Sequence, residues 1–460
     1  MTNLTRAQQH LWYREQLAGP TRTSHVSVLL RLHGELDEAA LCRAIGDVTA
    51  RHDVLRSRYP AVGGHPYRDV LAPGEVPAVT LVDCAEHELV AVLDRAGRRP
   101  FDLTAAAPVR VILYRLDKPA PGAVRRSGAS PVGRWALLLV AHRIVWDGAG
   151  LAALVGELGA AYTARRHGTA PVWPTTAAPD RWDAALRAPS LHPAGVRPAV
   201  VRGVGGLRRD EPAGLPAGLR LPYDRARPPV ASNRCGSVPL RLCPVARARL
   251  AGLVRAGRAT PATIGHTALA ALLTRLGVGT DIPIGAVPER SSTRPFAVPA
   301  ATMLLRVDTS GNPSFHDLLT RVRATELAAR AQRQEPLRAG RPPVQVMVMT
   351  AEPPVRMSLP GLEVRAQRLD PEVTDCDLAV VLAPEGVGTG PTGRLRYATD
   401  VFDRTTAASL ADHLVRLLDA MAAEPDVGLG AVEVGRDDAR RAPIGGTPPG
   451  SRLYMLPTGR

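Results

Sequence analysis

Lysine is almost missing from this chain: Lys118 is the only one, and arginine supplies the other 57 of the 58 basic residues. Phenylalanine occurs four times and aromatics make up 4% of the chain, too few to lay out a base-stacking platform. A formal charge of +15 therefore reads as solvated arginines on a globular surface, with no support for nucleic acid. Such a surface favours an acidic protein partner through long-range steering. Long apolar runs are missing as well. The run over 135–141 is strand-sized, far short of the roughly 20 residues a membrane helix needs. The opening MTNLTRAQQHLWYREQL has no apolar core followed by a cleavage site, so a cytoplasmic location is the default. The five cysteines form no CxxC pair, which leaves neither a disulfide framework nor a structural zinc site and reads them as small buried hydrophobes.

What is present is a soluble balance, 45% hydrophobic and 22% charged, over 460 residues, a length that suggests two or three domains. Helix and strand signals alternate. RAQQHLWYREQL follows Thr5 as a helix whose Ala7, Leu11, Trp12 and Leu17 share a face, and HVSVLLRLHG is a strand closed by Gly34. Asp37 caps a helix carrying Ala40, Leu41, Ile45 and Val48 at helical spacing. VRVILYRLD (109–117) and RWALLLVAHR (134–143) are strands, the second covered on both faces, and LAALVGELGAAYTARR is a helix. Pattern fades over 169–219, which is expected to be a connector. Beyond it, TPATIGHTALAALLTRL starts a helix behind Thr260 with Pro261 at its first position. SVPLRL, DIPIGAVPE, ATMLLRVD, VQVMVMT, DLAVVLAP and RLRYATDVF are strands, and PVARARLAGLVRAG, SFHDLLTRVRATELAARAQ and the stretch 403–424 are helices. The expectation is an α/β chain with one lobe over 1–168 and another over 220–460.

Eight strings along the chain resemble, in order, the condensation-domain family of nonribosomal peptide assembly lines. They are LTRAQQHLWYREQLAGP (4–20), LDEAALCRAIGDVTARHDVLRSRYP (36–60), RPFDLTAAAPVRVILYRL (99–116), LPYDRARPP (221–229), TDIPIGAVPER (280–290), LLRVDTSGNPSFHDLLTRVR (304–323), DCDLAVVL (375–382) and LRYATDVFDRTTAASLADHL (395–414). The resemblance implies two chloramphenicol acetyltransferase-like lobes in a V-shaped pseudo-dimer with a central tunnel. No bound cofactor, no metal and no membrane are expected. Substrates would be tethered to the phosphopantetheine of a peptidyl or acyl carrier protein, and the activity would be acyl transfer (condensation) in secondary-metabolite, antibiotic-type biosynthesis.

The family's central motif is His-His-x-x-x-Asp-Gly, whose second histidine acts in amide formation. VAHRIVWDGAG (140–150) matches it: His142 takes the first histidine position, Asp147 the aspartate and Gly148 the glycine, but Arg143 takes the position of the second histidine. Realignment gives no rescue, because one residue along a strand turns the side chain to the opposite face. A guanidinium has five donors, no acceptor and a pKa above about 12, so it cannot act as a general base. It can hold a carboxylate, steady an oxyanion or pair with Asp147; the family reading makes His142 and Asp147 structural. Two further departures accompany Arg143. Ala301 and Thr302 stand where the family has asparagine-threonine before the position of Arg306, and PDRWDAAL (179–186) only faintly resembles a further family motif.

The pair His142–Arg143 is similar to the X-domains of glycopeptide assembly lines, which dock cytochrome P450 enzymes onto the carrier-bound peptide instead of condensing amino acids. Those domains also tend to alter the final glycine, which is kept here as Gly148. With no carrier site of the Asp-Ser-Leu type, the chain is expected to be free-standing. Two readings stay open. One is a protein in which amide formation is lost or weakened and which binds a carrier protein or recruits a tailoring enzyme such as a cytochrome P450. The other is an active enzyme joining a carrier-bound acyl group to an amine or alcohol by positioning or a relocated base. GVGGLRRD (203–210) lacks the Gly-Lys-Ser/Thr of a phosphate loop, and His266 is expected to be packed or exposed rather than catalytic.

Overall fold

The computed structural model describes residues 2–4, 6–18, 24–75, 79–116, 133–145, 148–173, 218–229, 231–287, 302–331, 344–351, 357–369, 374, 376–383 and 393–432. Contacts divide the chain into two compact units. The first contains strand β1 (Thr2–Asn3), helix α1 (Arg6–Ala18), β2 (His25–Gly34), α2 (Glu38–Arg51), β3 (Ser57–Arg58), β4 (Ala61–Val62), β5 (His65–Val70), β6 (Thr80–Asp83), α3 (Leu89–Arg98), β7 (Val109–Arg115), β8 (Gly133–His142) and α4 (Gly148–Arg166). The second contains β9 (Cys235–Leu240), α5 (Pro244–Arg255), α6 (Pro261–Arg275), β10 (Asp281–Ala286), β11 (Met303–Asp308), α7 (Phe315–Ala331) and β12 (Val346–Thr350). After β13 (Leu362–Leu369), which belongs to the first unit, β14 (Leu378–Leu382), β15 (Gly393–Ala398) and α8 (Arg404–Ala423) complete it.

In the first unit a five-stranded sheet runs β13-β2-β8-β7-β6, antiparallel except for the parallel pair β6 and β7. The unbroken apolar run of β8 has its physical reason here. Leu137 and Leu139 pack with Leu41, Val48, Leu154 and Leu158 of α2 and α4. Ala136, Leu138 and Val140 pack with Leu89 and Leu93 of α3. Both faces are covered, so neither set can be polar. Asp37 accepts from the Ala40 N–H at 2.8 Å and starts α2 where the sequence placed the cap.

Residues 352–371 fall within the span expected for the second lobe, 220–460, yet group with the first unit. The cause is β13, which pairs with β2 over eight residues from Leu362↔Gly34 to Leu369↔Ser27. The first unit's sheet is thus finished by a strand from far along the chain. Most of the expected connector, 174–217, lies outside the described residues.

The second unit's sheet runs β11-β10-β12-β14-β15-β9, with β10–β12 and β12–β14 parallel. Helix α6 begins behind Thr260, whose hydroxyl accepts from the Thr263 N–H at 3.1 Å, with Pro261 at the first position where no N–H is needed. Gly265 gives α6 its close seat: a Cβ there would stand 2.8 Å from both Leu382 Cδ1 and Val348 Cγ1. One expectation is corrected. Of the five cysteines only Cys84 and Cys376 are buried; Cys42 and Cys235 are half-buried, and Cys243 is exposed, its Sγ serving as the cap of α5, 3.4 Å from the Ala246 N–H. Among the described residues no helix is long and apolar enough to cross a membrane.

Candidate functional site

The degenerate motif sits where β8 runs out. The His142 N–H donates to the Pro108 carbonyl at 3.0 Å, and the Arg143 N–H donates to the Ser24 carbonyl at 2.7 Å, so strand-like bonding extends one residue past β8. Alternation then separates the two side chains: His142 is 1% exposed, whereas Arg143 lies open to solvent. The chain turns at once, the Val145 N–H donating to the His142 carbonyl at 3.1 Å, and Ile144 and Val145 are fully buried. Gly148 is the first residue of α4. Asp147, expected to anchor this turn or to pair with Arg143, lies outside the described residues.

The His142 ring is hydrogen-bonded on one side and faces a carboxylate on the other. Its Nδ1 accepts the Ile144 N–H at 3.0 Å, which uses that nitrogen's lone pair and leaves the neutral ring's proton on Nε2. Nε2 lies 3.3 Å from Glu15 Oε1, off line for a well-formed hydrogen bond. Burial pushes the His142 pKa below the ordinary histidine value, and the Glu15 carboxylate opposes that only in part. His142 is therefore a neutral fixture of the turn.

Helix α1 holds this turn from one side. Gln8 Nε2 donates to the Ile144 carbonyl at 3.1 Å, Arg14 Nη2 donates to Ser24 Oγ at 2.6 Å, and Glu15 faces His142. Gln8 and Glu15 stand seven residues apart, two helical turns, and so share a face. Trp12 is buried and donates from Nε1 to the Tyr59 carbonyl at 2.8 Å, seating the helix.

A second imidazole, not identified from the sequence, completes the cluster. His25 opens β2 directly opposite His142, their ring centroids 6.2 Å apart. Its Nδ1 lies 2.9 Å from the Gly97 carbonyl, and since a carbonyl only accepts, Nδ1 carries the proton. Its ring meets Phe101 edge-on at 4.9 Å, and Arg110 lies over Phe101 at 4.5 Å. Burial lowers the His25 pKa, and the nearby His142 adds to the effect. Arg110 Nη1 donates to the Ala96 carbonyl at 2.8 Å. Pro100 has no N–H to offer that carbonyl, so Arg110 and His25 together satisfy the open end of α3. The only sequence signal for His25 is a histidine at the start of a strand, which does not reveal its partner 117 residues away.

Arg306, Thr302 and His266, also singled out, lie in the second unit. Arg306 Nε donates to both oxygens of Asp281 at 2.8 and 2.7 Å across the β10–β11 pair. Thr302 is half-buried, and Ala301 and the strings 179–186 and 203–210 lie outside the described residues. His266 is buried and held, Nδ1 at 2.7 Å from Glu326 Oε1, while Thr263 donates to Glu326 Oε2 at 2.8 Å. The strings LPYDRARPP and DCDLAVVL meet. The Tyr223 hydroxyl donates to Asp377 Oδ2 at 2.6 Å and accepts from Gln345 Nε2 at 2.8 Å, and Arg227 pairs with Asp377. Burial first, then the Asp377 carboxylate, raises the Tyr223 pKa, so this phenol stays protonated. Among the described residues no three His, Cys, Asp or Glu converge as a metal site would require.

Comparison with known proteins agrees with this layout. A family model described as "Condensation domain" matches residues 1–177. A dimodular nonribosomal peptide synthase of Bacillus subtilis is 34% identical over 453 residues, 94% of this chain but 18% of that protein. The chain thus spans under a fifth of that relative's length. Among solved structures, the X-domain from teicoplanin biosynthesis is 30% identical with a TM-score of 0.74, covering 94% of this chain and 97% of that one. The same X-domain in complex with OxyB is 31% identical with a TM-score of 0.73, covering 95% and 96%. On sequence and fold alike, this chain belongs to the condensation-domain family of nonribosomal peptide biosynthesis.

Proposed function

We propose that this chain binds a carrier protein and recruits a tailoring enzyme, such as a cytochrome P450, to the carrier-bound peptide, and that it does not form amide bonds. One observation carries the reading: an exposed arginine follows a buried imidazole whose Nδ1 lone pair is already taken by the Ile144 N–H. Acyl transfer to an amine needs a proton acceptor near neutral pH. Arg143 has no acceptor atom, and His142 can offer one only by breaking the turn it holds. The likeness to an X-domain solved with OxyB bound supports recruitment as the role of this chain. His142 is then a residue that shapes the turn, and Gly148 opens the helix that follows it.

The test is a reconstitution. The chain, a cytochrome P450 of the OxyB kind and a phosphopantetheine carrier loaded with peptide are mixed, and complex formation and peptide oxidation are followed. The expected result is a stable complex and faster oxidation in the presence of the chain. No complex with any carrier or P450 would overturn the reading.

A further inference from the structure

The geometry points to the outward face of α5 as the docking surface for an acidic helix of the partner carrier protein, an inference that rests on the carrier-binding role proposed above. From 225 to 280 the chain has nine arginines and not one aspartate or glutamate. Arg225 and Arg227 find carboxylates outside that run, in Asp403 and Asp377. Arg247, Arg249, Arg255 and Arg258 form no ion pair among the described residues. Arg249 Nη1 donates to the Ala422 carbonyl at 3.4 Å, and Arg323 of α7 donates to the Arg258 carbonyl at 3.2 Å. The second contact places Arg323 beside the turn that follows α5. No acid occupies the first turn of α5, so nothing on the helix offsets these charges.

The shape of the face narrows the ligand. Ala246 and Leu250 turn α5 inward. At 100° per residue the opposite side presents Val245, Ala248 and Gly252, flanked by Arg249 and Arg255. Val245 is 60% exposed, and open space surrounds the point where a Cβ of Gly252 would stand. A smooth apolar strip lets a second helix approach closely, and arginines on either flank hold carboxylates on that helix. This is a small apolar centre with a charged rim, as protein interfaces have. No aromatic residue lies on the strip for a base to stack on, which disfavours single-stranded nucleic acid.

The test measures affinity for a phosphopantetheinylated peptidyl carrier domain of a nonribosomal peptide synthase. The double variant Arg249→Glu/Arg255→Glu should weaken binding about tenfold or more and flatten its salt dependence. Gly252→Gln should weaken it about fivefold without any change of charge. Because Gln favours helix over Gly, misfolding would not explain that loss. The charge-matched control Arg43→Glu/Arg95→Glu, on exposed positions of the first unit, should stay within about twofold. If the α5 variants bind like the unaltered chain, the surface is wrong while carrier binding stands. If a DNA duplex displaces the carrier at equal charge, the site is a general polyanion surface and the inference fails. If the unaltered chain binds no carrier, this inference and the carrier-binding role both fail.

Discussion

Three buried histidines stand beside a glutamate, His52 and His142 in the first unit and His266 in the second, and the pairs of His142 and His266 are built differently. In the second unit His266 Nδ1 meets Glu326 at 2.7 Å, Thr263 adds a bond to the same carboxylate, and the tie runs between neighbouring helices α6 and α7. In the first unit His142 meets its glutamate only loosely, at 3.3 Å, and commits Nδ1 to a backbone N–H instead. Glu326 organises a helix pair; His142 organises a turn. An imidazole anchored to its own turn is a structural part, which is why the neighbouring position 143 decides the chemistry.

The largest effect that would break this comparison is expected at Glu326. Glu326→Ala leaves a histidine and a threonine hydroxyl buried without their acceptor and should cost about 3 kcal/mol, read from the denaturant midpoint. His142→Ala removes the acceptor of the Ile144 N–H and opens a small cavity. It should cost about 2 kcal/mol and speed amide exchange at Ile144, sparing the second unit. If His142→Ala costs nothing, the imidazole is not holding the turn.

The pH dependence sharpens the contrast in the first unit. His142 and His25 have folded pKa values below the ordinary value, so the unfolded chain takes up their protons first as pH falls. Their contribution is whole above pH ~6.5 and lost progressively below it, down to the lowered folded values. Melting temperature should therefore drop as pH falls from 7 to 5, and replacing both histidines with asparagine should flatten that slope. The smallest effect belongs to Arg143→Ala at an exposed position, about 1 °C or less in melting temperature.

Much of this layout is legible in the sequence because its causes are local. Asp37 and Thr260 mark their helix starts, Pro261 fits a first turn, and the apolar run of β8 announces a strand covered on both faces. The one-residue step between His142 and Arg143 fixes which is inside. What the sequence hides is long-range. The residues of β13 alternate between half-buried and exposed, which says nothing of their pairing with β2 more than 300 residues earlier. Gln8 and Glu15 read as ordinary helix polar residues until Ile144 and His142 arrive beside them. His25 is likewise explained only by the open carbonyl of Gly97.

The central claim is that neither His142 nor Arg143 offers a usable proton acceptor at the end of β8, and amide formation tests it most directly. The purified chain is given a donor-loaded carrier and an acceptor amine, and product is quantified by mass spectrometry across pH 6–9. The account predicts a yield equal to the protein-free control at every pH, for both the unaltered chain and Arg143→Ala. Turnover that persists in Arg143→Ala and disappears in a folded His142→Ala protein would contradict it, by showing that His142 serves as the base.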